Sequence, residues 1–235
     1  MNITLSEIER IADELLIDVS TPPTDLQSVG RKLNVDKFLI EPLPHLGELR
    51  FTDAGLVVVT TQYLSFARRR FTIAHELSHA ALNKFLDAPL LGGPSLERSC
   101  DRLAAELLMP RWCFADSPAA SLTVQSLIAT SQKFYASLQA TAIRSAELFG
   151  ASVFETRFDT IVWGFGRYSK GSICRYPLLE QLFISGELTE PGSLALPPNS
   201  RGESLRLDWA PIERTNKVLF IEAWESMQSL RPVGS

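Results

Sequence analysis

The stretch His75-Glu76-Leu77-Ser78-His79 decides how this chain is read. Its two imidazoles stand four residues apart, one turn of helix, so both can reach a single zinc ion. Glu76 between them projects beside the metal, where it can activate a bound water. The chain has only 3 histidines, and this motif uses two of them. The flanks support a buried helix: Phe71, Ala74, Leu77, Ser78, Ala81 and Leu82 are small or apolar at helical spacing. An unpaired His, Glu, His set on such a helix would be costly, and a metal ion removes that cost.

A zinc held by two histidines needs a third protein ligand, and a catalytic zinc keeps one position open. His45 is a candidate, although its setting between Pro44 and Leu46 reads first as a surface loop. The run Glu97-Arg98-Ser99-Cys100-Asp101 offers more, because it opens a helical stretch that stops at Pro110. Glu97 and Asp101 are i and i+4 and share a face. That suits one ligand carboxylate and a second that orients a ligating imidazole. Acidic residues also favour a helix start for electrostatic reasons alone. Glu106, in a run of Ala, Leu and Met, is a rival ligand.

HExxH followed by ExxxD is the pattern of the glutamate-zincin metallopeptidases. More narrowly, RRRFTIAHELSHAAL at 68–82 with ERSCDRLAAELLMP at 97–110 resembles the ImmA/IrrE family of bacterial zinc metallo-endopeptidases. The resemblance covers about residues 5–115 and, more loosely, the chain to about 150. It implies one Zn²⁺ per chain held by His75, His79 and Glu97, with Glu76 as catalytic base. It also implies a substrate: helix-turn-helix transcriptional repressors, cleaved to relieve repression under stress such as DNA damage. Two positions depart from the family pattern, Ser78 where Gly is usual and Leu103 where Phe is common.

At 235 residues the chain can bury one large or two small cores. The expected fold class is α+β. Residues 1–116 form a zincin-like metallopeptidase domain, 117–150 a helical subdomain with a helix-turn-helix look, and 151–235 a mainly β, sensor-like domain. Net charge −4 argues against a generally basic nucleic-acid binder. No apolar run reaches 18 residues, so no membrane partner is expected. Residues 1–8 lack the basic and apolar regions of a signal peptide. The 3 cysteines, an odd number without pairing spacing, suit a reducing cytoplasm.

Residues 4–17 read as an amphipathic helix, and a shorter helix runs to about Leu33. Residues 38–40, 48–51 and 56–59 read as strands, with a hairpin turn at Asp53-Ala54-Gly55. Residues 48–60 include a candidate edge strand that could hold an extended substrate. Residues 83–96 read as the loop between the ligand segments, and 121–149 as helical. Further on, 151–176 reads as two or more strands, 178–184 as a short helix and 186–203 as a long loop. Residues 205–209 and 217–224 read as further strands.

Three readings concern regulation. Arg167, Lys170 and Arg175, interleaved with Trp163, Phe165 and Tyr168, could bind single-stranded DNA or a nucleotide that activates the enzyme; aromatics of a sheet core are the plainer alternative. Cys113, just past Pro110, could supply an inhibitory fourth metal ligand that displaces the water, or be a buried cysteine beside Trp112. Cys100 and Cys174 read as small core residues. The group that would stabilise the oxyanion is not identifiable from the sequence: no further histidine is well placed, and Tyr63, Tyr135 or an arginine are candidates. Two other classes of function remain open: a catalytically silent zincin-fold adaptor, and a DNA-binding regulator with a structural zinc.

Overall fold

β1 (Val35–Glu41), β2 (Gly47–Thr52) and β3 (Gly55–Thr61) form a sheet ordered β1-β3-β2. β1 runs parallel to β3, while β2 is antiparallel to it, with Glu48 opposite Val59 and Arg50 opposite Val57. Central β3 is Val-rich because both its faces are covered: Val57, Val58 and Val59 are all buried. β2 is paired on one side only, so it is an edge strand. The structure is a computed structural model describing residues 3–19, 21–53, 55–89, 92–117, 121–168, 170–196, 203–212 and 217–226. Ala54 of the expected turn lies outside these.

Two helices precede the sheet. α1 (Leu5–Leu15) starts with a capping box: Glu7 N–H donates to Thr4 Oγ1 (3.3 Å) and Thr4 N–H to Glu7 Oε2 (2.8 Å). α2 (Leu26–Lys32) is capped by Asp25, which accepts from Gln27 N–H at 2.9 Å.

α3 (Phe66–Leu86) begins at Ser65, whose hydroxyl accepts Arg68 N–H at 3.4 Å, and ends where Asp87 turns left-handed. It buries Ala74, Leu77, Ser78, Ala81 and Leu82 of the face its spacing predicts, while Phe71 of that face is half-buried and lines the cleft. Each leucine buried there contributes about 1.5–3 kcal/mol. α3 packs against β2, β3 and α4 (Pro94–Leu108). α4 starts three residues before Glu97 because Pro94 suits the first helical position, where no N–H is needed. The connection is therefore 87–93, shorter than the 83–96 read from glycines and prolines; residues 90 and 91 lie outside the described ones.

Contacts divide the chain into two units, Met1–Phe114 with Ser131–Ala140, and Ala115–Thr130 with Thr141–Ser235. The stretch 117–150, read as a separate helical subdomain, is thus shared between them. It follows α5 (Arg111–Phe114) and holds α6 (Val124–Phe134) and α7 (Leu138–Phe149). The turn between α6 and α7 belongs with the first unit for a visible reason. Phe134 packs on Phe114 with ring centroids 5.5 Å apart, and Tyr135 meets the edge of Phe66 at 5.7 Å.

The second unit is built on an antiparallel six-stranded sheet ordered β6-β5-β4-β9-β8-β7. Its strands are β4 (Ser152–Arg157), β5 (Thr160–Phe165), β6 (Gly171–Ser172), β7 (Gly192–Ala195), β8 (Glu203–Ile212) and β9 (Lys217–Ser226). α8 (Pro177–Ser185) contributes Leu179 and Leu182 to a core with Phe154, Ile161, Trp209 and Phe220. Phe154 and Phe220 stack with centroids 4.5 Å apart. Asp208 accepts Val124 N–H at 2.7 Å, satisfying a donor at the start of α6. The stretch 186–203, expected as a loop, contains β7, which lies beside β8 with Gly192 opposite Trp209. Residues 197–202 of that stretch lie outside the described ones.

Candidate metal centre

His75 and His79 lie on one face of α3, and Glu97 reaches them from the first turn of α4. His75 Nε2 is 3.3 Å from His79 Nε2 and 3.2 Å from Glu97 Oε2. His79 Nε2 is 3.7 Å from Glu97 Oε1. Donor atoms at the corners of a zinc tetrahedron, with bonds of about 2.0–2.2 Å, are spaced about 3.3–3.6 Å apart. The distances to Glu97 run to its two different oxygens; one ligand atom from each of the three side chains lies within 4.8 Å of the others, close enough to share a metal ion. Asp101 accepts a hydrogen bond from His75 Nδ1 at 2.9 Å. That fixes the tautomer and leaves the Nε2 lone pair for a metal. His79 Nδ1 finds no such partner among the described residues.

The site's electrostatics point the same way. Burial disfavours a charge on His75, but the Asp101 hydrogen bond and the carboxylates of Asp101, Glu76 and Glu97 outweigh it and raise its pKa. Burial and the neighbouring His75 lower that of His79. Glu76 is only 9% exposed. Burial pushes its carboxyl above the ordinary range, against the pull of His75. A carboxylate with raised proton affinity beside a candidate water position is what general base catalysis needs.

Residues 40–146 match the Peptidase M78 family, described as the IrrE N-terminal-like domain. Over this stretch the chain resembles the ImmA/IrrE family. The ImmA/IrrE match contains β2, β3, α3 and α4 entire, and so every residue of the cluster. A solved Mycobacterium tuberculosis transcriptional regulator has a similar fold: TM-score 0.60 at 13% identity, covering 98% of this chain and 93% of that one. No curated protein matches the sequence significantly.

His75, Glu76, His79, Glu97 and Asp101 line a cleft of about 650 Å³. The start of β2 and the residues before it, His45, Leu46, Gly47, Glu48 and Leu49, line it too. Gly47 makes the close approach to α3 possible. A Cβ there would meet Thr72 Cγ2 at 2.4 Å and come within 3.6 Å of Glu76 Oε1. The arginine run 68–70 is divided in use. Arg68 lines the cleft with its guanidinium over the Phe71 ring, Arg69 donates to Gln62 O (3.2 Å) and Arg70 to Thr24 O (2.9 Å).

The departures from the family pattern are accommodated. Ser78 is fully buried and donates its hydroxyl back to Ala74 O at 2.7 Å, so it needs no outside partner. Leu103 is fully buried in the face of α4.

Other sequence readings fall elsewhere. Glu106 is buried at the far end of α4, where it accepts Arg111 N–H at 3.4 Å. Cys113, the candidate inhibitory ligand, does not join the cluster of His75, His79 and Glu97. It lies on α5, beyond a helix that carries the chain about 16 Å past Glu97. Cys100 is fully buried, which raises its thiol pKa; the side chain of Cys174 lies outside the described structure. Tyr63 and Tyr135 do not line the cleft.

In the second unit, Lys170 and Arg175 are exposed, but Arg167 donates to Glu222 Oε1 at 2.9 Å. Tyr168 is buried in the core with its hydroxyl on the same carboxylate. The stacking surface read from 163–176 therefore lacks its tyrosine, whose ring packs against Phe154. His45, raised as a candidate ligand, lines the cleft but is not in the donor cluster, and Glu48 of the nominated strand lines it too; Gly47 was not singled out in the sequence. The only local signal linking these residues is the i,i+3 spacing of His45 and Glu48.

Proposed function

We propose that the chain is a zinc-dependent endopeptidase whose substrate is a helix-turn-helix transcriptional repressor, cleaved in the cytoplasm to relieve repression under stress such as DNA damage. The observation that carries the hydrolytic reading is the donor triangle of His75, His79 and Glu97, with buried Glu76 on the same helix facing the same cleft. Zinc held there would acidify a bound water and polarise the scissile carbonyl. Glu76 takes the proton of the attacking water on its carboxylate and passes it to the departing amine. Asp101 keeps His75 in the ligating tautomer through Nδ1–H. The free edge of β2 pairs with an extended peptide through main-chain hydrogen bonds and lays the scissile bond along the cleft. Repressor substrates and the stress signal rest on the family resemblance.

The test is co-expression with the repressor encoded beside this gene, comparing the native chain with Glu76→Gln during DNA damage. Repressor fragments are expected with the native chain alone. An intact repressor in both would remove this substrate, and fragments in both would remove the role of Glu76.

A further inference from the structure

The third histidine is the cleft's least explained group. His45 lines the same cleft as His75, His79, Glu97 and Glu76, and lies outside the donor cluster itself. Its ring is held. Nε2 donates to Glu48 Oε2 at 3.0 Å. The other oxygen of Glu48 accepts from Arg50 Nε (3.0 Å) and Nη2 (2.5 Å), and Arg50 is tied in turn to Glu41 at 3.2 Å. A chain of charges thus runs from the end of β1 through β2 to an imidazole in the cleft. With Nε2 committed to a carboxylate, Nδ1 is the nitrogen left for a ligand, and in the imidazolium form it is a donor.

The proposed hydrolysis lacks such a donor. When water adds to the scissile carbonyl, its C=O becomes a single bond to an oxygen bearing a negative charge. Fixed donors aimed at that oxygen are a major source of rate enhancement. The cleft's acidic side chains cannot stabilise it. Arg68, the other basic residue of the lining, has its guanidinium over Phe71. Resting on the peptidase reading above, we propose that His45 is a catalytic residue that donates Nδ1–H to the tetrahedral oxyanion, with Glu48 and Arg50 as its positioning residues.

Binding tests this without turnover. The zinc-loaded full chain is titrated with N-phosphoryl-leucinamide, a tetrahedral anion, and with acetohydroxamate, a planar zinc chelator. His45→Ala is expected to weaken the phosphoryl probe by ~10-fold or more, while zinc content and hydroxamate affinity stay as in the parent. Glu48→Gln should show a smaller loss of the same selectivity. Equal phosphoryl affinity in parent and His45→Ala would overturn the proposal. So would a matching loss of hydroxamate, which marks general damage, or no phosphoryl binding by the parent. The peptidase reading is judged separately by Glu76→Gln: a chain that cleaves no peptide yet shows this selectivity keeps the donor site and loses the reaction assigned to it.

Discussion

Buried polar groups behave differently in the two units. In the second, Glu222 receives both Tyr168 and Arg167, so the acceptor and its donors close on one another inside the sheet. In the first, the ring nitrogens of His75 and His79 and the carboxylate of Glu97 converge, with separations of 3.2 to 3.7 Å and no lysine or arginine among them. The Glu222 arrangement is complete as protein; the cluster of His75, His79 and Glu97 is one that could hold a metal ion. A cluster of polar residues thus signals chemistry when its lone pairs converge, and structure when its charges cancel. By that criterion Tyr168 belongs to the sheet core and Arg167 to its ion pair with Glu222, while Lys170 and Arg175 stay exposed.

The largest expected effect sharpens this contrast. Glu76→Gln should lower repressor cleavage by ~10²–10⁴-fold, the scale of a lost general base, while metal analysis still finds one zinc per chain. Loss of zinc in that variant would mean that Glu76 belongs to the ligand set. Next, Asp101→Ala should weaken zinc binding ~10–100-fold, measured by competition with a chelator, because His75 loses the partner that fixes its tautomer. Unchanged affinity would break the argument that α4 supplies two linked functions.

The matching variant in the other unit is Tyr168→Phe. It removes one of the donors to a buried carboxylate and should lower stability by about 1–3 kcal/mol in denaturant melts, with zinc affinity unchanged. A change in zinc binding there would erase the distinction between the units. The smallest effect concerns pH. Zinc requires neutral imidazoles, and the folded metal-free chain holds the His75 proton more tightly than usual while His79 releases its own more readily. Zinc affinity should therefore rise with pH, by at most ~tenfold per unit, across a window starting near the ordinary ~6.5 and reaching above it. Calorimetry in buffers of different ionisation enthalpy should detect proton release on binding in that window; a flat profile would show that His75 is already neutral.

The clustering of His75 and His79 was legible because their placement is local. His75 and His79 need only a helix, and the apolar spacing of 71–82 supplies one. Glu97 and Asp101 needed one further inference, that two faces i and i+4 on successive helices meet. The choice over Glu106 could not be read from local pattern, because it depends on which end of α4 faces α3. His45 was ambiguous for a different reason. Its position depends on β1 pairing parallel with β3 while β2 takes the outside place, a long-range arrangement with no signature in residues 42–46. β7 was missed because a four-residue edge strand amid Gly, Pro and Ser is defined by its neighbour β8, not by its own composition.

The ligand layout also ties chemistry to endurance. His75 and His79 belong to α3 and Glu97 to α4, and along the chain only residues 87–93 join these helices. A bound ion is a removable rivet between them, gripping the folded chain and having no such seat in the unfolded one. Its occupancy becomes mechanical security: at a free concentration 100 times the dissociation constant it adds about 2.7 kcal/mol to the folded state. On the zinc-peptidase reading, a molecule stripped of its ion would be both idle and easier to unravel, so metal supply would govern how long each copy survives as well as whether it works.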